Sequence, residues 1–259
     1  WYTPVSGIWQ TVWLESVPDD HIRDIAVETV ENSVSIGLLG TGANGTLMLA
    51  ETGTLHPIQN GKCSLEIPAP HLWSPEDPFL YHFTAEIESG DKIASYFAIR
   101  TLTTETVDGV PRLCLNGKPY FFHGLLDQGY FPEGIFTPQT PERYEKDILT
   151  AKRLGFNTLR KHIKIEPQVF YEACDRLGMI VFQDMVNNGD YSFIRDTAMP
   201  TVRIQKCSDR HMHKDPQTRA RFLQSMEQTV AQLGNHPCIL YWTIFNEGWG
   251  QFDGNAAYA

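Results

Sequence analysis

The sequence predicts a multidomain fold in which an antiparallel β-sandwich is followed by the first half of a (β/α)8 TIM barrel. Short strands separated by turn residues fill the first hundred residues, which is typical of a sandwich. Beyond them, continuous apolar strands alternate with amphipathic helices, which indicates a parallel sheet covered on both faces. A complete barrel needs about 250 residues, and only 259 − 120 + 1 = 140 remain from Tyr120 to Ala259. We therefore expect a half barrel.

Five apolar or alternating runs predict the strands of the sandwich, because Gly, Asn, Asp and Pro clusters separate them. These runs are residues 8–14, 25–30, 34–39, 80–87 and 92–102. Residues 40–45 spell the GxGxxG pattern of a dinucleotide site, but no amphipathic helix can follow them. We interpret these glycines as a hairpin turn.

The polar stretch 103–109 predicts a domain junction, and Asn116-Gly117 predicts the turn of a short hairpin after it. Four strands and three helices then alternate along the chain. The helices are predicted to begin at Pro141, at Pro167 and at Asp215-Pro216, which are N-terminal capping signals. Tyr144 and Ile148 fall at helical spacing in the first helix, and Gly178 is predicted to stop the second. The predicted strands are residues 120–123, 157–160, 179–182 and 238–245.

Composition excludes several classes of function. The chain has 21 Lys+Arg and 31 Asp+Glu, a net charge of −10, so we expect no nucleic-acid partner. No apolar run approaches the roughly 18 residues of a membrane span, so we expect no membrane partner. The five cysteines are widely spaced without a zinc pattern, which predicts buried free thiols. With no signal peptide visible, these thiols favour a cytoplasmic location.

Polar side chains follow all four predicted barrel strands. In (β/α) barrels the chemistry lies at the carboxyl ends of the strands, and polar groups there are costly to bury unless they are paired or used. The candidate site residues are Asp127 after strand one, Arg160 and His162 after strand two, Asp184 after strand three, and Asn246, Glu247 and Trp249 after strand four.

Glu247 is the strongest candidate for catalysis. It follows an apolar strand that contains Trp242, and an apolar pocket raises the pKa of a carboxyl group toward that of a general acid. Asn246 could donate to a substrate hydroxyl. Cleavage of a glycosidic bond with retention also requires a second carboxylate about 5–5.5 Å away. The alternative is that Glu247 only charges the first turn of the next helix.

The other candidates keep two interpretations each. Arg160 is a bidentate clamp for a carboxylate or a structural salt bridge across the barrel mouth. His162 and Asp127 contact sugar hydroxyls or make structural hydrogen bonds. Asp184 either faces the pocket or points away from it, and Trp249 offers an aromatic face to a sugar.

Several segments together resemble glycoside hydrolase family 2, which includes β-galactosidases, β-glucuronidases and β-mannosidases. FNEGWG at 245–250 is similar to the acid/base strand of the family, and FNTLR at 156–160 resembles its second barrel strand. LNGKP at 115–119 resembles the barrel entry. SGIWQTVWLE at 6–15 and LWSPEDP at 72–78 resemble parts of its jelly roll and of its sandwich.

The resemblance implies three domains: the end of a sugar-binding jelly roll at 1–16, an immunoglobulin-like β-sandwich at 17–104 and a truncated barrel at 105–259. It implies that Glu247 is the acid/base residue, that Asn246 contacts the 2-hydroxyl of the sugar and that Arg160 supports the nucleophile. That nucleophile ends barrel strand seven in the family, which we expect to lie outside this chain.

Two stretches depart from the pattern of the well-known β-galactosidases: HGLLDQGY at 123–130 and RKH at 160–162. For that reason neither the sugar nor the divalent metal sites of some relatives carry over; we expect no required cofactor, and nothing in the sequence supports a divalent cation.

The sequence favours a retaining β-glycosidase that acts on a carbohydrate such as a β-galactoside or β-glucuronide, in a chain expected to be inactive alone. One alternative is a non-catalytic carbohydrate-binding or scaffold protein. Another is a complete enzyme that pairs Glu247 with Asp184 or Asp127. An open half barrel argues against the latter because it exposes sheet edges, unless two copies associate as a homo-oligomer.

Overall fold

The computed structural model describes residues 5–186, 192–203 and 215–246. The first part of the chain forms two antiparallel sheets. One contains β1 (Asp24–Val30), β2 (Ser33–Leu39) and β5 (Lys62–Glu66), in the order β1-β2-β5. The other contains β3 (Gly45–Leu49), β4 (Thr54–Ile58), β6 (Tyr81–Ile87) and β7 (Lys92–Phe97), in the order β4-β3-β6-β7.

The two sheets pack face to face around one apolar core. Residues alternate between buried and exposed along β2 and β6, as expected for strands with one face inward. Ile36 and Leu47, one from each sheet, are completely buried in this core. The predicted sandwich is therefore confirmed.

Two local predictions in this region are wrong. Residues 8–14 form no strand, and Leu14 is fully exposed, because no described strand lies beside them to complete a hydrogen-bonded ladder. The glycines at 40–45 make no hairpin, since β2 and β3 lie in different sheets. Gly45 is needed where the chain crosses over, because a Cβ atom there would lie only 2.8 Å from the Cα atom of Ile87.

The polar stretch at 103–109, predicted as a domain junction, is regular structure. It forms β8 (Leu102–Val107), which pairs with β9 (Val110–Leu115) through an Asp108-Gly109 turn, and β10 (Lys118–Pro119) completes the sheet. Both turn residues have positive φ, of 52° and 76°, as a type I′ turn requires. Asn116 and Gly117 form the second turn, as predicted.

The second part of the chain is a four-stranded parallel sheet with helices between the strands, which confirms the predicted half barrel. Its strands are β11 (Gly124–Asp127), β12 (Thr158–Lys161), β13 (Ile180–Asp184) and β14 (Ile239–Thr243), adjacent in that order. The helices are α1 (Glu142–Arg153), α2 (Gln168–Leu177), α3 (Met199–Thr201), which follows a π-helical turn at Phe193–Ala198, and α4 (Pro216–Leu233).

Capping residues set the helix ends much as the sequence predicts. Asp215 accepts from the backbone N–H groups of Gln217 and Thr218 at the start of α4. Gly178 ends α2 in the left-handed conformation. The buried face of α1 contains Tyr144, Ile148 and Ala151.

The first barrel strand lies four residues later than predicted. Gly124–Asp127 pairs with Thr158–Lys161, whereas the apolar run at 120–123 precedes the sheet. Phe122 packs against Phe182 of β13, with ring centroids 5.3 Å apart. Tyr120 and Phe122 are thus partly buried against the barrel core beside the sheet, whereas Phe121 is 80% exposed.

A tryptophan of the sandwich anchors it to the barrel. Trp73 is completely buried in the apolar core of the barrel, and its indole N–H donates to the backbone carbonyl of Asp175 in α2 at 2.9 Å. Nearby, the hydroxyl of Tyr96 donates to the Asp175 carboxylate at 2.8 Å. Arg100 donates to the carbonyl of Pro237 at 2.6 Å. The two units thus share a buried polar interface.

We expect Trp73→Phe in the complete gene product to lower the free energy of unfolding by about 2–4 kcal/mol. The change removes buried volume and leaves the carbonyl of Asp175 without its donor. Chemical denaturation of this variant and of Trp13→Phe, whose ring is 68% exposed, measures the effect. Equal losses in the two variants would contradict this interface.

The four cysteines in the described ranges, Cys63, Cys114, Cys174 and Cys238, are buried free thiols, as predicted. Cys207 lies outside those ranges. Of the helices in the described part of the chain, none is long and apolar enough to span a membrane.

Candidate active site

The period-two alternation of the parallel strands divides the candidate residues between two faces of the sheet. Arg160 and Asp184 lie on the same face as Phe182, toward the inside of the half barrel. Asp127 and Lys161 are register partners, and they lie on the opposite face with Gln183, toward the helices. Only the first group can contribute to a pocket inside the barrel.

The inward group is organised by a bidentate ion pair. Arg160 donates from Nε to one carboxylate oxygen of Asp184 and from a terminal nitrogen to the other, both at 3.0 Å. Asp184 is completely buried, whereas the side chain of Arg160 is 40% exposed. The guanidinium group therefore neutralises a buried anion while part of it faces the barrel mouth.

Two further side chains join this pair. The same terminal nitrogen of Arg160 donates to the side-chain oxygen of Asn246 at 2.7 Å. Nδ1 of His162 lies 3.3 Å from the Asp184 carboxylate. Asn246 is buried, and because its oxygen accepts from Arg160, its NH2 group is oriented as the donor end of the amide. The cluster spans the carboxyl ends of β12, β13 and β14.

Asp127 lies apart from this cluster. It ends β11 and accepts from Nζ of Lys161 at 3.2 Å and from the backbone N–H of Gly129 at 2.9 Å. Only its backbone reaches the first group, since its carbonyl accepts from the N–H of His162 at 2.8 Å. The geometry gives Asp127 structural hydrogen bonds on the helix-facing side of the sheet.

The sequence interpretation missed a buried charged cluster beside Asp127. Glu166 is completely buried and forms ion pairs with Lys161 and with Lys164, the latter at 2.9 Å. It also accepts from the hydroxyl of Tyr144 at 2.8 Å, and burial together with the Glu166 charge raises the pKa of that tyrosine. The signal was present as charged residues alternating with apolar ones in RKHIKIEP at 160–167.

Glu247 and Trp249 lie outside the described residues, so their predicted roles remain predictions. Asn246, the residue immediately before Glu247, is the last one described. Among the described residues, no group of His, Cys, Asp and Glu side chains is arranged to hold a metal ion.

The fold and the cluster define a class: a β-sandwich joined to a (β/α) barrel with an arginine, an aspartate and an asparagine at the carboxyl edge of its sheet. The family model described as glycosyl hydrolases family 2, TIM barrel domain, matches residues 108–258. A second model of glycosyl hydrolases family 2 matches residues 19–100. The chain therefore belongs to glycosyl hydrolase family 2.

Individual relatives agree with this assignment. A β-galactosidase of Aeromonas hydrophila is 31% identical over 211 residues, which are 80% of this chain and 19% of the relative. A β-galactosidase of Klebsiella pneumoniae strain 342 is 27% identical and covers 98% of this chain and 26% of the relative. The chain thus spans about a fifth to a quarter of the length of these relatives.

Solved structures share the fold. A β-D-glucuronidase of Dictyoglomus thermophilum superposes with a TM-score of 0.71 at 20% identity, over 88% of this chain and 39% of that chain. A β-glucuronidase of Bifidobacterium dentium superposes with a TM-score of 0.69 at 22% identity, over 88% of this chain and 38% of that chain. At these identities the likeness concerns the fold, and it agrees with the sandwich and half barrel described above.

Proposed function

We propose that this chain contributes the acid/base half of the active site of a retaining β-glycosidase. The observation that carries the proposal is the network of Arg160, Asp184 and Asn246 at the carboxyl edge of the sheet. It fixes the residue directly before Glu247, in a chain that belongs to glycosyl hydrolase family 2.

In the proposed mechanism Glu247 protonates the glycosidic oxygen as the bond to the leaving group breaks. It then removes a proton from the water that attacks the glycosyl–enzyme intermediate. The NH2 group of Asn246 donates to the 2-hydroxyl of the sugar, where hydrogen bonds strengthen in the transition state. Arg160 presents the exposed part of its guanidinium group to the catalytic carboxylates.

Asp184 does not serve as the nucleophile in this proposal. Both of its oxygens accept from Arg160, and its side chain has no exposed surface. Asp127 lies on the helix-facing side, paired with Lys161. The family resemblance implies a nucleophile at the end of barrel strand seven, and the 259 residues alone are expected to be inactive.

The substrate class follows from the names of the relatives. The matched sequences are called β-galactosidases, and the matched structures are called β-glucuronidases and β-galacturonidases. We propose a β-galactoside or a β-glucuronide as substrate, with the sugar recognised at the mouth of the barrel.

A panel of p-nitrophenyl β-glycosides tests this function on the complete gene product. We expect release of nitrophenol from the β-galactoside or the β-glucuronide, and NMR of the first product should show the β-anomer, as retention requires. An α-anomer would contradict the retaining mechanism. Sugar binding without any turnover would instead support a non-catalytic carbohydrate-binding protein.

A further inference from the structure

One lysine at the carboxyl edge of the sheet is held in an unusual environment. Lys164 lies in the connection between β12 and α2 and is 4% exposed. Its ammonium nitrogen donates to the backbone carbonyls of Gly129 and Phe136, each at 2.5 Å, and lies 2.9 Å from the Glu166 carboxylate. The ammonium group thus makes two hydrogen bonds to backbone carbonyls and one ion pair with a buried carboxylate.

Aromatic rings cover the same ammonium group. Its nitrogen lies 4.4 Å from the ring centroid of Phe136 and 5.5 Å from that of Trp9, within the range of cation–π attraction. Tyr130 and Phe131 add rings at 6.0 and 5.7 Å. Burial lowers the pKa of Lys164, and the Glu166 charge acts against that shift.

The contacts of Lys164 tie together the two ends of one loop. Residues 128–136 follow β11, and the two carbonyls bound by Lys164 are seven positions apart in this loop. The loop backbone rests directly on the charged cluster, because a Cβ atom at Gly129 would lie 2.8 Å from Nζ of Lys164 and closer still to Lys161 and Glu166. Gly129 also has a φ of +64°, which favours glycine.

The loop lies beside the candidate active site. The carbonyl of Asp127, directly before the loop, accepts from the N–H of His162, and His162 contacts Asp184. Loops at the carboxyl edge of a barrel form the wall of its pocket, and this one carries Tyr130, which is 39% exposed. On its other side the loop contacts the amino-terminal segment, since Trp9 packs edge-on against Phe136 at 4.5 Å.

We propose that Lys164 is a positioning residue that fixes loop 128–136 as a wall of the sugar-binding pocket and joins it to the amino-terminal segment through Trp9. The role in substrate binding rests on the proposed glycosidase function. Lys164 touches no substrate in this account: it acts through the shape of the loop. Losing it should therefore weaken substrate binding more than it slows the chemical step.

The test uses Lys164→Met in the complete gene product. Methionine keeps the apolar stem and removes the charge, the two hydrogen bonds to the loop carbonyls and the ion pair with Glu166. We expect hydrogen exchange of the backbone amides in 129–136 to become at least about tenfold faster. We expect KM for the accepted aryl β-glycoside to rise by about tenfold, with kcat changed by less than about threefold.

Lys152→Met is the matched control. Lys152 likewise donates to backbone carbonyls, those of Pro75, Leu177 and Gly178, and burial also lowers its pKa. It lies at the end of α1, at the opposite edge of the sheet. Lys152→Met should lower the free energy of unfolding. The hydrogen exchange of residues 129–136 and the KM should stay as in the wild type.

Two results would overturn the proposal. One is a Lys164→Met variant whose loop exchange equals that of Lys152→Met. The other is a variant with faster loop exchange but an unchanged KM, which would make the loop irrelevant to the substrate. If the wild type hydrolyses no aryl β-glycoside, the proposed function fails separately; the exchange data then decide whether Lys164 holds the loop, and the pocket role is lost.

Discussion

Replacing Glu247 by glutamine in the complete gene product should slow turnover of β-glycosides with poor leaving groups by roughly 10²–10⁴-fold. An alkyl alcohol or a weakly acidic phenol must be protonated as it leaves, and glutamine has no proton to give. A dinitrophenyl glycoside needs no such help, so its bond cleavage should be slowed far less. Steady-state kinetics over a series of aryl β-glycosides measures this leaving-group dependence.

Glu227→Gln is the control for this experiment, because it removes the same charge from an exposed position on α4. Its kinetics should match those of the wild type for every leaving group. If Glu247→Gln slowed all substrates by the same factor, protonation of the leaving group would not be its role. If Glu247→Gln retained normal turnover, the acid/base assignment would be wrong.

Arg160→Met should remove most activity and also destabilise the fold. The change leaves the completely buried carboxylate of Asp184 without its cation. Breaking a buried ion pair on one side costs about 3–5 kcal/mol; the partial exposure of Arg160 places the expected loss near 3 kcal/mol. Turnover should fall by about 10²-fold or more, because Asn246 loses the partner that orients it. Denaturation and steady-state kinetics on the same preparations measure both effects.

A double variant separates these two effects. The double variant Arg160→Met, Asp184→Leu leaves no buried charge unpaired. Its free energy of unfolding should therefore regain much of what Arg160→Met alone loses, whereas turnover should stay low. Arg176→Met breaks the exposed pair of Arg176 with Glu145 and should cost less than about 1 kcal/mol. A single variant Arg160→Met as stable as Arg176→Met would contradict the importance of the buried pair.

Local patterns in the sequence predicted most of the barrel. The Asp215-Pro216 cap, the glycine stop at Gly178 and the apolar spacing of Tyr144 and Ile148 act within one or two helical turns, and the structure follows them. The first strand was misplaced because an apolar run at 120–123 has the composition of a buried strand. Phe122 of this run is partly buried against Phe182 without joining the sheet, which depends on contacts distant in sequence.

The candidate site was predicted only in part, again because some of its contacts join residues that are distant in sequence. The rule that polar residues after barrel strands meet at one edge identified Arg160, His162, Asp184 and Asn246, which the structure brings together. This rule did not show that Asp127 lies apart from the other candidates. The alternation along β12 already places Lys161, the register partner of Asp127, on the face opposite to Arg160. The role of Lys164 in holding loop 128–136 was missed because these contacts are with backbone carbonyls of another loop, and no spacing in the sequence encodes them.

In the proposed function, Glu247 is the acid/base residue of a retaining glycosidase, at the edge organised by Arg160 and Asn246. The most direct measurement is product analysis by NMR after Glu247→Gln has reacted with a dinitrophenyl β-glycoside in sodium azide. With the acid/base carboxylate gone, azide should attack the glycosyl–enzyme intermediate from the face that water normally uses, accelerating turnover and giving the β-glycosyl azide. An α-glycosyl azide, or no acceleration by azide and no azide product, would show that Glu247 is not the acid/base residue of a retaining enzyme.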